Sequence, residues 1–337
     1  MTKHILITII LAVACCAPAA AQTASGSKKC TDCHNKLVEK KFMHGPVGEN
    51  CDKCHQSNGK AHPNEEEDEA FTLSQKMPAL CYTCHENTFQ QEFKHSPFDE
   101  GDCLSCHEIH SSNQPQLIAQ LPPNLCYFCH TDLKESVEKA TTVHAVVNDG
   151  KSCLNCHSPH ASAEKKILIA EEQKLCLSCH DKPVTAGTRT IQNMKETIEG
   201  RKYVHGAIDN GCTACHNPHA SSNQNILKLA YPVSNYAQGK VANYALCFDC
   251  HEKGLLEDPK FEDTGFRDGE RNLHYVHINK DKGRSCFNCH DVHASNNLFL
   301  IADKIKFGEW QLPVRWQKVD KGGSCSPGCH GEKKYQR

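Results

Sequence analysis

The sequence predicts a mainly irregular fold with short α-helices, elongated and modular. Three observations predict it: a cysteine pattern that recurs eleven times, histidines locked in register with that pattern, and a chain too polar to bury an ordinary core.

The 337 residues contain 24 cysteines, far above ordinary usage. Ten CxxCH motifs take twenty of them: Cys30, Cys33 and His34; Cys51, Cys54 and His55; Cys81, Cys84 and His85; Cys103, Cys106 and His107; Cys126, Cys129 and His130; Cys153, Cys156 and His157; Cys176, Cys179 and His180; Cys212, Cys215 and His216; Cys247, Cys250 and His251; Cys286, Cys289 and His290. An eleventh, Cys325, Cys329 and His330, has one extra residue between its thiols. Cys15 and Cys16 lie in an N-terminal export signal, so no cysteine is left for a disulfide. CxxCH is the attachment signature of haem c. Two intervening residues put both sulfurs along one edge of the porphyrin, with the following histidine beneath the iron. Zinc would need four ligands and gives no reason for a histidine after the second cysteine.

Mean hydropathy is −0.59 and aromatics are only 7% of residues. About eleven covalently attached haems, one per roughly 29 residues of mature chain, would supply the missing apolar area, as metals do in other small-core domains. The core is then expected to be stacked haems, and the apo-chain is expected not to fold. The net charge of −2 leaves no basic face for nucleic acid. Haem propionates add acidity, which favours cationic partners.

Taken in order, residues 1–21 read as a secretory signal: Lys3, an apolar stretch 5–14, Pro18, then Ala19, Ala20 and Ala21 at the cleavage site. The stretch is too short to span a bilayer. Val13, Ala14 and Cys15 form a partial lipobox, so lipoprotein anchoring is the alternative. No other segment is apolar enough, so no transmembrane helix is expected in the mature chain. Haem attachment takes place outside the cytoplasm, where free thiols would otherwise oxidise. The protein is therefore expected in the periplasm, at the outer membrane or outside the cell.

A first haem segment, 22–43, precedes five repeats of two haems each: 44–94, 95–143, 144–204, 205–273 and 274–337. In each repeat a lone histidine runs seven to nine residues ahead of the first cysteine. A CH-x-x-H tail follows in repeats two to five; in repeat one an insertion moves it to His62, followed by an acidic run 65–69. Leu80, Leu125, Leu175 and Leu246 each precede a second-motif cysteine. Internal repetition implies units that contact mainly their neighbours. Leu133, Val137, Ala140 and His144 fall on one helical face. Thr190 is the expected cap of a helix carrying Ile191, Met194, Ile198 and His205. Short apolar runs at 117–119, 167–170, 226–230 and 298–302 suit either small strands or haem covers.

Outside the signal there are 22 histidines, eleven of them in the motifs. The other eleven are His44, His62, His95, His110, His144, His160, His205, His219, His274, His277 and His293. The counts match if every iron has two imidazoles. A tail histidine is too close to reach the far face of its own haem and must serve a neighbour. The expected pairing gives the leading histidine of each repeat to the haem just before it, the tail histidines to first haems, and His274 to the last haem. Saturated iron binds no reactant but changes oxidation state with little reorganisation, which suits electron transfer at low potential.

The paired motifs, the CH-x-P-H tails at His157 and His160 and at His216 and His219, and the upstream Val-His pattern resemble the doubled-CxxCH multihaem c-type cytochromes. The layout is similar to the decahaem cytochromes that thread an outer-membrane porin. That resemblance implies extracellular or dissimilatory electron transfer, with redox-partner cytochromes and a porin as partners. The eleventh site and its widened motif depart from it. The competing class is a multihaem reductase of nitrite, hydroxylamine or a sulfur oxyanion, with one open haem; the CxxCK motif of pentahaem nitrite reductases is absent. A filament-forming cytochrome is a third reading.

Overall fold

In the computed structural model, residues 28–63, 69–87, 89–187 and 189–337 are described. The signal, with Cys15 and Cys16, and most of the acidic run lie outside them. The described chain is mostly irregular, with short helices and small sheets and no barrel. Its longest helix is the nine-residue Thr131–Lys139, and none is long and apolar enough to cross a membrane. The largest buried apolar cluster is Tyr244, Leu256 and Ile278.

A two-strand clasp recurs four times. Phe42–Met43 pairs with Ser111–Ser112, Phe93–Lys94 with Ala161–Ser162, Thr142–Val143 with Ala220–Ser221, and Tyr203–Val204 with Ala294–Ser295, all antiparallel. In each, the strand just before a leading histidine joins the strand just after a tail histidine of the following repeat. The clasp serine folds back onto its own loop: Ser112 Oγ donates to the Ile118 carbonyl at 2.6 Å, and Ser221 and Ser295 do the same to Leu227 and Ile301 at 2.5 Å.

Two expectations about helices are corrected. Thr131–Lys139 stops before His144, because Thr141, Thr142 and Val143 are β-branched and enter the clasp; Thr141 Oγ1 also bonds the Ser222 carbonyl at 2.9 Å. Thr190 caps no helix. It lies in strand Arg189–Ile191, paired with Val184–Ala186. The cap is Asn193, whose side chain accepts the Glu196 N–H of helix Met194–Glu199, and His205 lies beyond that helix. The apolar runs form tight turns that end in one bridge back to a motif histidine, as in His107 to Ile118 and His157 to Leu168.

The C-terminus carries structure with no sequence forewarning. Lys304–Phe307 and Trp310–Pro313 form a hairpin. Trp316–Val319, Gly322–Cys325 and Lys333–Gln336 form a three-stranded sheet.

Candidate haem-binding site

One continuous cavity of about 4450 Å³ runs through the described chain, against roughly 300–1,000 Å³ for a single-ligand pocket. All 22 motif cysteines and all 22 described histidines line it.

Ten of the motifs are single helical turns, and the eleventh starts at the end of a strand, at Cys325. The histidine N–H bonds the carbonyl of the first cysteine at 2.9–3.1 Å in nine of the eleven, for example His34 to Cys30 and His180 to Cys176. The turn brings both thiols and the imidazole to the same wall.

Ten pairs of imidazoles face one another across the cavity. Their ring centres are 5.8–6.4 Å apart and their planes lie within 10–23°. With metal–nitrogen bonds of about 2.0 Å, two imidazoles trans across one iron have ring centres roughly 6.3 Å apart. The spacing therefore fits haem with two axial histidines.

The pairing differs from the expected one for the leading histidines and His274, while the tail histidines of repeats two to five face first motifs, as expected. Leading histidines face the second motif of their own repeat: His44 with His85, His95 with His130, His144 with His180, His205 with His251. Tail histidines face the first motif of the preceding repeat: His110 with His55, His160 with His107, His219 with His157, His293 with His216. His62 faces His34, its insertion folded over by the hairpin of His55–Ser57 and Phe71–Leu73. His274 faces His290, not His330. The clasp is the reason: it bonds the backbone of each leading histidine to that of the next repeat's tail histidine, His44 to His110 at 3.0 Å and His95 to His160 at 2.8 Å. The two side chains then reach different rings.

The eleventh centre is built otherwise. His274 and His277 share helix Leu273–Ile278, whose buried cap Asn272 accepts the N–H groups of His274 and Tyr275. His277 is the histidine that interacts electrostatically with His330. Its ring lies 5.5 Å from Phe266, and no matched pair with His330 is formed among the described residues.

Hydrogen bonds at Nδ1 orient several of the rings and leave Nε2 for metal, although His180 Nδ1 is buried without a partner. His107, His157, His216 and His290 bond the carbonyls of Gln116, Lys166, Asn225 and Phe299 at 2.9–3.0 Å. Those four acceptors have φ of 52–60°, and the residue after each is also left-handed. Two of the followers, Ile167 and Ile226, are β-branched, for which this conformation is an outlier. Each left-handed pair turns a carbonyl onto the ring. His95 and His144 bond the Pro159 and Pro218 carbonyls at 3.0 and 2.9 Å. Sequence reasoning missed these acceptors and the clasp serines. The available signals were a serine five residues past each of those four motif histidines, and the acceptor nine past.

Burial favours the neutral, ligating form of the more enclosed rings. It holds His274 and His293 down to about 4, and lowers His216, His219 and His290. Thiols of consecutive motifs also meet. Cys126 interacts with Cys153, Cys176 with Cys212 and Cys247 with Cys286; the shared thiol interaction holds Cys153 down to about 6 and Cys212 to about 7, lowers Cys247, and pushes Cys126, Cys176 and Cys286 up. In these three pairs the attachment points of consecutive motifs are therefore adjacent.

Comparison with known proteins agrees with the recurring CxxCH motifs. The family described as "Doubled CXXCH motif" matches residues 44–90, 95–135, 144–185 and 205–255. The chain is also similar to the multiheme cytochrome MtrA of Shewanella baltica, 27% identical over 137 residues. That match covers 35% of this chain and 41% of the relative's length.

Proposed function

Since the chain belongs to the doubled-CXXCH family of multihaem c-type cytochromes, electron-transfer proteins with multiple covalently attached haems, we propose that it is a relay of eleven haems, each held between two histidines. Haem c supplies a one-electron ferric–ferrous couple. The motif histidines would hold one axial position. His44, His62, His95, His110, His144, His160, His205, His219, His274, His277 and His293 would hold the other, with His277 serving the centre at His330. Rings fixed through Nδ1 resist movement when the charge changes, and two imidazoles without methionine favour low potential. Adjacency of consecutive motifs supports passage along the chain in sequence order.

The observation that carries this reading is the set of ten imidazole pairs at one spacing. A haem count per chain, combined with electron paramagnetic resonance, tests it. Eleven low-spin haems are expected; zinc in place of haem refutes it. The likeness to the multiheme cytochrome, with the reading of residues 1–21 as a signal, supports a periplasmic or outer-membrane-associated place. Partner cytochromes, and a porin, are the proposed neighbours.

A second reading follows from the unmatched ring of His277: an open haem at His330 that reduces a small oxyanion. Cyanide binding to one haem in eleven would favour it.

A further inference from the structure

The haem cavity is lined asymmetrically in charge. Up to Glu172 the lining holds seven carboxylates and five lysines; from Arg189 onward it holds seven cations and no carboxylate. The whole chain leans the same way. Residues 1–180 contain 16 Lys and Arg against 22 Asp and Glu, and residues 181–337 contain 22 against 18. Two cavity lysines of the first half, Lys53 and Lys94, are paired with Glu49 and Asp99. Among the described residues, none of the seven later cations forms an ion pair.

Arg284 is the focus of that half. Its guanidinium carbon lies 4.6 Å from the Tyr236 ring centre and 4.8 Å from that of Phe307. Its Nη2 is 3.6 Å from the Cys329 sulfur, and its Nη1 is buried with no partner. Its N–H donates to the His277 carbonyl at 2.9 Å. Cys329 would carry one thioether of the last haem, on the edge away from its propionates. Pairing with those propionates therefore does not explain the position of the guanidinium.

We propose that this lining gives the relay a direction. Unpaired cations, concentrated at Arg284, raise the potential of the haem attached at Cys325 and Cys329 above that of the haems near the N-terminus. A ferric centre that gains an electron loses one unit of positive charge, so a fixed cation nearby favours the reduced form. Electrons from a low-potential one-electron donor enter among the acidic-lined centres. They leave from the last centre to a one-electron acceptor of higher potential. Each transfer oxidises one iron and reduces the next, with no other reactant.

This inference rests on the relay reading, which fails separately if the wild-type protein shows a low haem count or mostly high-spin iron. The test is an optical redox titration of the full-length holoprotein with dithionite and ferricyanide. Arg284→Gln should lower the highest-potential haem by about a tenfold change in equilibrium constant with its neighbours, about 59 mV for one electron. Arg284→Lys, which keeps the charge, should leave the curve in place. If Arg284→Gln binds fewer haems, Lys282→Gln, an exposed cavity cation, is titrated instead and should give a smaller shift in the same direction. A superimposable curve for the variant titrated, or a shift confined to the low-potential end, overturns the proposal.

Discussion

The matched motif pairs between residues 44 and 255 and the segment 274–337 present imidazoles by different means. In the first region every leading histidine is an extended residue that opens a short helix. His44, His95, His144 and His205 share φ of −65 to −72° and ψ of 123 to 132°. In the second region His274 and His277 project from one helix, three residues apart, toward two centres. Cys325 ends a strand, and the His330 N–H reaches only Pro327, at 3.4 Å. A hydrogen bond at Nδ1 recurs in both regions, though not at every ring: the Thr264 hydroxyl lies 3.1 Å from His274 Nδ1, and His277 bonds the Leu273 carbonyl at 2.6 Å. The fold around a centre varies; ring orientation is what is preserved.

The largest effect should come from separating the two regions. Cys325→Ser with Cys329→Ser should reduce the intact mass by one haem and leave the spectrum of the others unchanged; loss of several haems would mean the last segment is not an independent addition. His144→Ala should come next, converting one haem to high spin in the ferric resonance spectrum without changing the haem count. No change at all would remove His144 from the relay.

Smaller effects probe the left-handed pairs peculiar to the CH-x-x-H motifs. Lys166→Val should destabilise by about 1 kcal/mol in guanidinium unfolding, since a β-branched residue fits the left-handed region worse than the lysine already there. Lys166→Gly should be neutral or mildly stabilising. Equal outcomes would show that the strain is not there. Least is expected from the clamp of Arg201 on Asp291, 2.5 Å long and 36–39% exposed. Arg201→Ala should cost about 0.5–1 kcal/mol, read by the same unfolding.

Some of this was legible in the residues. CxxCH spacing has one common chemical reading, and the equal numbers of motif and spare histidines pointed to two per iron. The pairing was not legible, because it depends on clasps such as Thr142–Val143 with Ala220–Ser221, which join residues some eighty positions apart. A pairing by sequence proximity gave His144 to the wrong neighbour for that reason. Gln116 and Lys166 act through backbone carbonyls, so their side chains carry no signature. The C-terminal sheet escaped notice because Gly322, Gly323 and Ser324 have little strand propensity; the close approach of Tyr335 favours glycine there.

The crossing of ligands between repeats has a consequence for how the molecule matures. His55, His107, His157 and His216 face histidines that lie 53 to 77 residues further on. If the chain is exported N-terminus first, each of these four thiol pairs would emerge long before the imidazole that faces its motif histidine. Haems at those four motifs would wait half-coordinated until the following repeat arrives, whereas those at His85, His130, His180 and His251 would find their second imidazole already in place.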